Sequence, residues 1–374
     1  MTDLFAPFRQ AAGDREAAAR AFKAAGGKVV GYVGPTVPTE LIAATGAFPL
    51  RLAGEAAATP LADRYMEALF DPVVRAVFET ALAGRYDFVD AIVLARTSDS
   101  AQRLYYYLCE VRRLGEAQVP EPLLYDLLHT PWYSSAEYNL ARIGELKANL
   151  ERVAGRMISD AALADAIATS NRRRAGLEAF ANLRRSRPAR VSGPDAQAVF
   201  AASQTMPAEA FDAALSGLLT GANGAHAGPR IVLAGSGQVT PRLHRLIESH
   251  GGVVVGDFHE FGEPLAAGRV AEGGAPLRAL TAHYHRAVAS SRTFPQSAAP
   301  LVEFAKAAGA DGVLFYFLRE EEALTWEYPA QRRALEAAGI RVLCLEDMTQ
   351  QPDEAAIGPG IATFLDGLAA KVAS

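Results

Sequence analysis

Thr36, Thr39 and Glu40 lie together just after an apolar run, in the stretch GYVGPTVPTELIAATGAFPLRLAG from Gly31 to Gly54. Two hydroxyls, the free amides of a helix start and one carboxylate at a sheet edge form the kind of grouping that holds a ligand in α/β proteins. A carboxylate buried there can be tuned as a general acid or base. Glu55, just past the stretch, is a further candidate for pocket contact. Gly235-Ser236-Gly237 follows another apolar run and invites a dinucleotide reading, with Asp257 as the acid about twenty residues on. The third glycine of that fingerprint is missing, and the chain has neither a P-loop nor a GxSxG elbow. His283 and His285, or His259 with Glu260, could bind a metal, but no third ligand is spaced to match. An i, i+2 pair splits across a helix, and helix is the expectation around His283, so these histidines read as surface residues. Arg172, Arg173, Arg174, Arg184, Arg185, Arg187 and Arg190 read first as a solvated helix face. Their sharper reading is a platform for the phosphates of a nucleotide-like ligand. Cys109 and Cys344 read as inert core thiols.

The elements that position these residues follow from pattern. Lys28–Val33 is a buried strand closed by Gly34-Pro35. Thr36 and Thr39 can cap a helix that begins near Pro38 and ends at Gly46. Phe48–Leu52 is the next strand. Pro60–Leu82 reads as helix interrupted at Pro72, after Asp71. Asp90–Ala95 is a strand that ends in the polar turn Arg96–Ser100, and a helix over Gln102–Leu114 and a strand over Leu123–Leu128 follow. From Ser134 to about Leu219 apolar residues recur at helical spacing. A second alternation of strands and helices runs from Ile231 to a terminal helix over Ile361–Val372. The fold class is α/β: two doubly wound parallel-sheet domains joined by a helical segment. The units are residues 1–133, 134–228 and 229–374.

Composition narrows the function classes. The 374 residues are 50% hydrophobic and 21% charged, with a net charge of −5, which argues against a general nucleic-acid binder. No apolar run reaches membrane-span length, and the start lacks a signal-peptide core. Two cysteines exclude a disulfide framework and fit a reducing cytoplasm. Alone they cannot supply a structural zinc or an iron–sulfur cubane.

Val37–Ala44 followed by Gly46–Leu52 closely resembles a signature of the 2-hydroxyacyl-CoA dehydratase D-component family, which includes subunits of benzoyl-CoA reductase. Asp90–Val93 leading to Ser98-Asp99, Asn171-Arg172, Leu233–Gly237, Gly251–Val254, Asp311–Leu314 and Leu345–Asp347 extend the resemblance along nearly the whole chain. It implies an active site between two α/β domains. There a [4Fe–4S] cluster on three cysteines meets an acyl-CoA, in a heterodimer served by an ATP-driven activator. This chain departs at the ligands. Asp71 before Pro72 and Ser98 before Asp99 stand where the family has cysteines, and Leu318 is the expected third position. Carboxylate, hydroxyl and alkyl groups do not replace three soft thiolates.

The reading is therefore a cluster-free subunit or paralogue of such a system. It would shape a coenzyme A thioester pocket and pair with a cluster-bearing homologue that holds any [4Fe–4S] cluster, with the activator as a further partner. An alternative is an iron-independent acyl-CoA lyase using Glu40, Asp71, Ser98 and Asp99, with Thr36, Thr39, Glu55, Ser236 and Leu318 as substrate contacts. A third is an acyl-CoA-binding module without chemistry.

Overall fold

The computed structural model describes residues 3–55, 58–96, 98–128, 130–286 and 298–372. β1 (Val29–Val33), β2 (Phe48–Arg51), β3 (Ala91–Ala95) and β4 (Glu121–Tyr125) form a parallel sheet in the order β2-β1-β3-β4. β5 (Arg230–Gly235), β6 (Val253–Phe258), β7 (Gly312–Leu318) and β8 (Arg341–Met348) form another in the order β6-β5-β7-β8, with the same topology. The expected pair of α/β units is thus present. Their central strands are continuous apolar runs because helices cover both sheet faces. In β1, Val29 and Val33 enter one core while Val30 and Tyr32 enter the opposite one. In the second sheet, Val313, Phe315 and Phe317 oppose Leu314, Tyr316 and Leu318.

The middle of the chain is helical over Tyr133–Ala154, Asp160–Arg185, Gly193–Ala202 and Ala208–Gly221. The 26-residue helix Asp160–Arg185 joins two cores. It sends Ile167 against the first sheet and packs Leu177 and Phe180 with Phe200 and Phe211. Its Arg184 donates to the Val254 carbonyl of β6 at 3.2 Å, so the helix passes beside both sheets and can place side chains between them.

Several element expectations are corrected. Pro60–Leu82 is not one interrupted helix: a 3-10 turn at Ala62–Arg64 precedes a helix that begins at Pro72. Proline costs nothing at the first helical position, where its missing N–H would be unbonded, so it starts the helix instead of breaking one. Helix Thr39–Ala44 has Pro38 as N-cap and no side-chain cap, so neither Thr36 nor Thr39 caps it. The last helix starts at Glu354, with Asp353 Oδ1 accepting from the amides of Ala355 and Ala356. No helix among the described residues is long and apolar enough to cross a membrane.

Candidate functional site

In each sheet the strand order reverses direction beside the central strand, and the crevice at the carboxyl ends of the two strands there is the usual ligand site of an open α/β sheet. In the first sheet that crevice lies between β1 and β3, and in the second between β5 and β7. The two crevices contribute walls to one cavity of about 210 Å³. Pro35 follows β1, Ser98 follows β3, Ser236 follows β5, and Leu318 ends β7; all four line it, with Asp71 at the start of the next helix. The three positions singled out by the resemblance, Asp71, Ser98 and Leu318, therefore share one space although they are far apart in sequence.

Local geometry fixes each of them. Asp71 caps helix Pro72–Leu82 through Oδ1, which accepts from Val73 N at 2.7 Å and Val74 N at 3.1 Å. Ser98 caps helix Asp99–Leu114 by accepting from Ala101 N at 3.1 Å. Leu318 is anchored by its main chain, whose N–H donates to Ser236 Oγ at 3.1 Å. Gly235 makes that pairing possible. Its φ is +97°, and a Cβ there would stand 2.6 Å from the Tyr316 carbonyl oxygen. A close approach of β5 to β7 thus accounts for the first glycine of Gly235-Ser236-Gly237 without a nucleotide.

Asp71 keeps some surface and lines the cavity. Burial and the nearby Glu260 carboxylate push its pKa up to about 7, against the opposing pull of its two backbone donors. Glu321, in the same wall, is also raised, by burial and then by Glu260.

A second cavity of about 1150 Å³ shares Pro35, Phe258, Glu260 and Pro264 with the first. Thr39, Glu40, Arg173, Arg174 and Arg185 line it. Part of the arginine-rich stretch is thus cavity wall, not solvated surface. Glu40 is 1% exposed. Its carboxylate accepts from Arg174 at 2.7 Å, Ser170 Oγ at 2.9 Å and Tyr284 Oη at 2.9 Å. Burial raises its pKa, but Arg174 and these donors outweigh that and hold it below the ordinary value. The Tyr284 hydroxyl is held well above its own, by burial and by Glu40. Glu40 is thus an ionised acceptor, in a different cavity from Asp71.

The remaining candidates are dispersed. Asp99 is exposed on the first turn of its helix and lines neither cavity. Thr36 is fully buried, and its Oγ1 has no hydrogen-bond partner. Glu55 accepts from Thr240 Oγ1 at 2.7 Å and faces Arg242 at 3.7 Å, tying the first sheet's edge to the second unit outside both cavities. Cys109 and Cys344 are half-buried and absent from both cavity walls. Burial pushes the Cys344 thiol up to about 12. The donor set at Asp71, Ser98 and Leu318 does not suit an iron–sulfur cubane, which needs soft thiolates.

Spacing did not reveal two features. Arg51, 3% exposed at the end of β2, donates to Gln204 Oε1 at 2.8 Å, to the Glu260 carbonyl at 2.9 Å and to Glu260 Oε2 at 2.9 Å. It also lies 3.8 Å over the Phe261 ring. A charge inside an apolar strand was the available signal, since a buried guanidinium must find partners. The other is a buried ion network, which corrects the surface assignment of His259. His244, Asp257 and His259 bring ligand-type atoms within 4.8 Å of one another, and all three are buried. Helix Arg242–Ser249 supplies His244, the neighbour that local spacing could not show. His244 Nε2 lies 2.7 Å from Asp257 Oδ1, and Arg184 lies 2.9 Å from Oδ2. Phe261 N–H donates to His259 Nδ1 at 3.3 Å, which leaves that ring's proton on Nε2, facing Asp257 at 3.5 Å. Arg184 and Arg185 also hold Glu263, at 2.9 Å and 2.6 Å. Two arginines against two carboxylates balance this network without a further cation. His283 and His285 do lie on a helix, Pro276–Arg286, as expected.

Residues 36–368 match the family model described as 2-hydroxyglutaryl-CoA dehydratase, D-component. The chain is 25% identical over 304 residues to a benzoyl-CoA reductase subunit of Thauera aromatica, covering 77% of each chain. It is 22% identical over 350 residues to the (R)-phenyllactyl-CoA dehydratase beta subunit of Clostridium sporogenes, covering 92% of each. It is 24% identical over 341 residues to the lactoyl-CoA dehydratase beta subunit of Anaerotignum propionicum, covering 87% of this chain and 88% of that one.

Proposed function

Since the chain belongs to the 2-hydroxyglutaryl-CoA dehydratase D-component family, we propose that it is a cluster-free subunit of a 2-hydroxyacyl-CoA dehydratase or benzoyl-CoA reductase-type system. In this reading it shapes an acyl-CoA pocket and pairs with a homologue that carries the [4Fe–4S] cluster and receives electrons from an ATP-driven activator. The observation that carries the reading is the meeting of Asp71, Ser98 and Leu318 in one cavity that shares wall residues with an arginine-bearing one. In this reading the family's site is kept in outline while its thiolates are absent. The relatives' names, each a subunit of a larger enzyme, support a partner. Anaerobic purification alone and with a co-encoded homologue tests it. The expected result is a colourless chain without iron or acid-labile sulfide, which elutes as a heterodimer with the homologue. About four irons per chain, one cubane's worth, or a chain that stays monomeric with every such homologue, would sink it.

The larger cavity, about 1150 Å³, lies at the upper end of the sizes of small-molecule and cofactor sites. Arg173 lines it, donates to the Ser203 carbonyl at 3.1 Å and sets its Nε 3.9 Å from Asp212. In this reading it meets a coenzyme A phosphate. Arg173→Ala is expected to weaken coenzyme A binding about tenfold, the scale of one charge-assisted hydrogen bond. Unchanged affinity by calorimetry would remove Arg173 from the pocket's binding set.

One observation favours a second reading, the iron-independent lyase. With its pKa near 7, the Asp71 carboxyl carries a proton about half the time at neutral pH, as a general acid for dehydration of a CoA ester requires. Turnover of 2-hydroxyacyl-CoA by Asp71→Asn at the wild-type rate would exclude it.

A further inference from the structure

The small cavity has a one-sided charge. Asp71, Glu260, Glu320 and Glu321 line it, and no lysine or arginine does among the described residues. Glu320 Oε2 is buried there without a hydrogen-bond partner. Most of the remaining wall is apolar, with Phe258, Phe317 and Leu318 prominent. Arg51 belongs to the wall of the larger cavity and is already committed to Glu260. His259, 5% exposed, is held between Asp257 and the Phe261 amide. Glu260 stands where the small chamber adjoins the larger cavity, since it belongs to both walls together with Pro35, Phe258 and Pro264.

We propose that this chamber is an acyl-selectivity filter in which Glu260 at the throat and Glu321 inside admit uncharged acyl groups and reject those ending in a carboxylate. The inference rests on the acyl-CoA reading above. A carboxylate entering this space of about 210 Å³ exchanges part of its hydration for a wall of apolar and acidic side chains. The incoming charge would lose water and meet a wall that carries acids and, among the described residues, no lysine or arginine, and both terms oppose it. The upward shifts of Asp71 and Glu321 report the same field acting on the protein's own carboxyls. Arg51 keeps Glu260 from swinging aside, since it grips both the carboxylate and the carbonyl of that residue.

Calorimetric titration of the full chain, with its partner where one co-purifies, uses three probes: coenzyme A, butyryl-CoA and glutaryl-CoA. Butyryl-CoA is expected to bind at least about tenfold more tightly than glutaryl-CoA, the scale of a like-charge penalty. Glu260→Gln and Glu321→Gln should each narrow that gap to about threefold or less. Glu321→Gln is the cleaner variant, because a glutamine oxygen can still accept from Leu324 N, the 3.0 Å bond that Glu321 makes now. Equal affinity of the wild type for both thioesters, or a full gap in both variants, overturns the filter and leaves the acyl-CoA reading standing. Failure of coenzyme A and butyryl-CoA to bind at all overturns both.

Discussion

Asp71→Asn is expected to stabilise the chain at pH 8 by roughly 3–4 kcal/mol, although it removes a candidate catalytic group. Asparagine caps a helix about as well as aspartate, so the bonds to the amides of Val73 and Val74 can persist. What disappears is the cost of a buried negative charge. The folded pKa, about 7, lies above the ordinary value of 3.8. The folded chain therefore holds the proton that the unfolded chain has released, and Asp71's contribution is fully present below about pH 4. It is lost progressively as pH rises through 7. Urea titrations at pH 4 and pH 8 check this. Wild type and variant should converge at the lower pH and separate at the higher one. Equal stability at pH 8 would mean that Asp71 is well solvated, and the acid–base reading would lose its support. A stabilised but inactive variant would mark Asp71 as a residue kept for chemistry at the expense of folding.

Arg184→Met should act in the opposite direction and destabilise the chain by about 3–5 kcal/mol, the usual consequence of removing one partner from a buried ion pair. Arg184 is fully buried and lies 2.9 Å from both Asp257 and Glu263. Without it, two desolvated carboxylates are left with Arg185, His244 and His259 as the remaining partners. Burial raises the pKa of Asp257, but His244 and Arg184 outweigh that and hold it well below 3.8. Its stabilisation is thus present above that value and lost as pH falls through the lower folded one. The deficit of Arg184→Met should consequently be largest near neutrality and shrink in acid, where the carboxylates can protonate. Glu263→Gln in the same background should restore part of the loss. A deficit under about 1 kcal/mol by chemical denaturation, the scale of a solvated surface pair, would mean that solvent reaches the network.

The sheets were legible because a strand covered on both faces leaves an unbroken apolar run, as in Ile231–Ala234 and Gly312–Phe317. Element ends were less legible. Pro72 reads as an interruption until Asp71 is seen to cap the helix it begins, and the threonines near Pro38 could cap a helix but do not. Within the site, Asp71, Ser98 and Leu318 came from resemblance, and the structure brings them to one cavity. The network around Asp257 was invisible, because helix Asp160–Arg185, helix Arg242–Ser249 and the turn after β6 supply its members and no local period links them. Arg51 left a trace as a charge in a buried strand, but its partners Gln204 and Glu260 lie 153 and 209 residues away.

Leu318 is gripped by its main-chain amide, through Ser236, while its side chain only lines the cavity. Ser98 and Asp71 also touch the chamber at a helix cap, where several small polar residues serve nearly equally well. At Leu318, architecture and reactivity are therefore written in separate parts of one residue, and its backbone stays in place whatever the side chain is. At Asp71 and Ser98 the side chain serves both, within the small set of residues that can cap a helix. A scaffold of this kind can lose one reactive repertoire or accept another with its shape intact, which makes these positions natural places to install new chemistry by design.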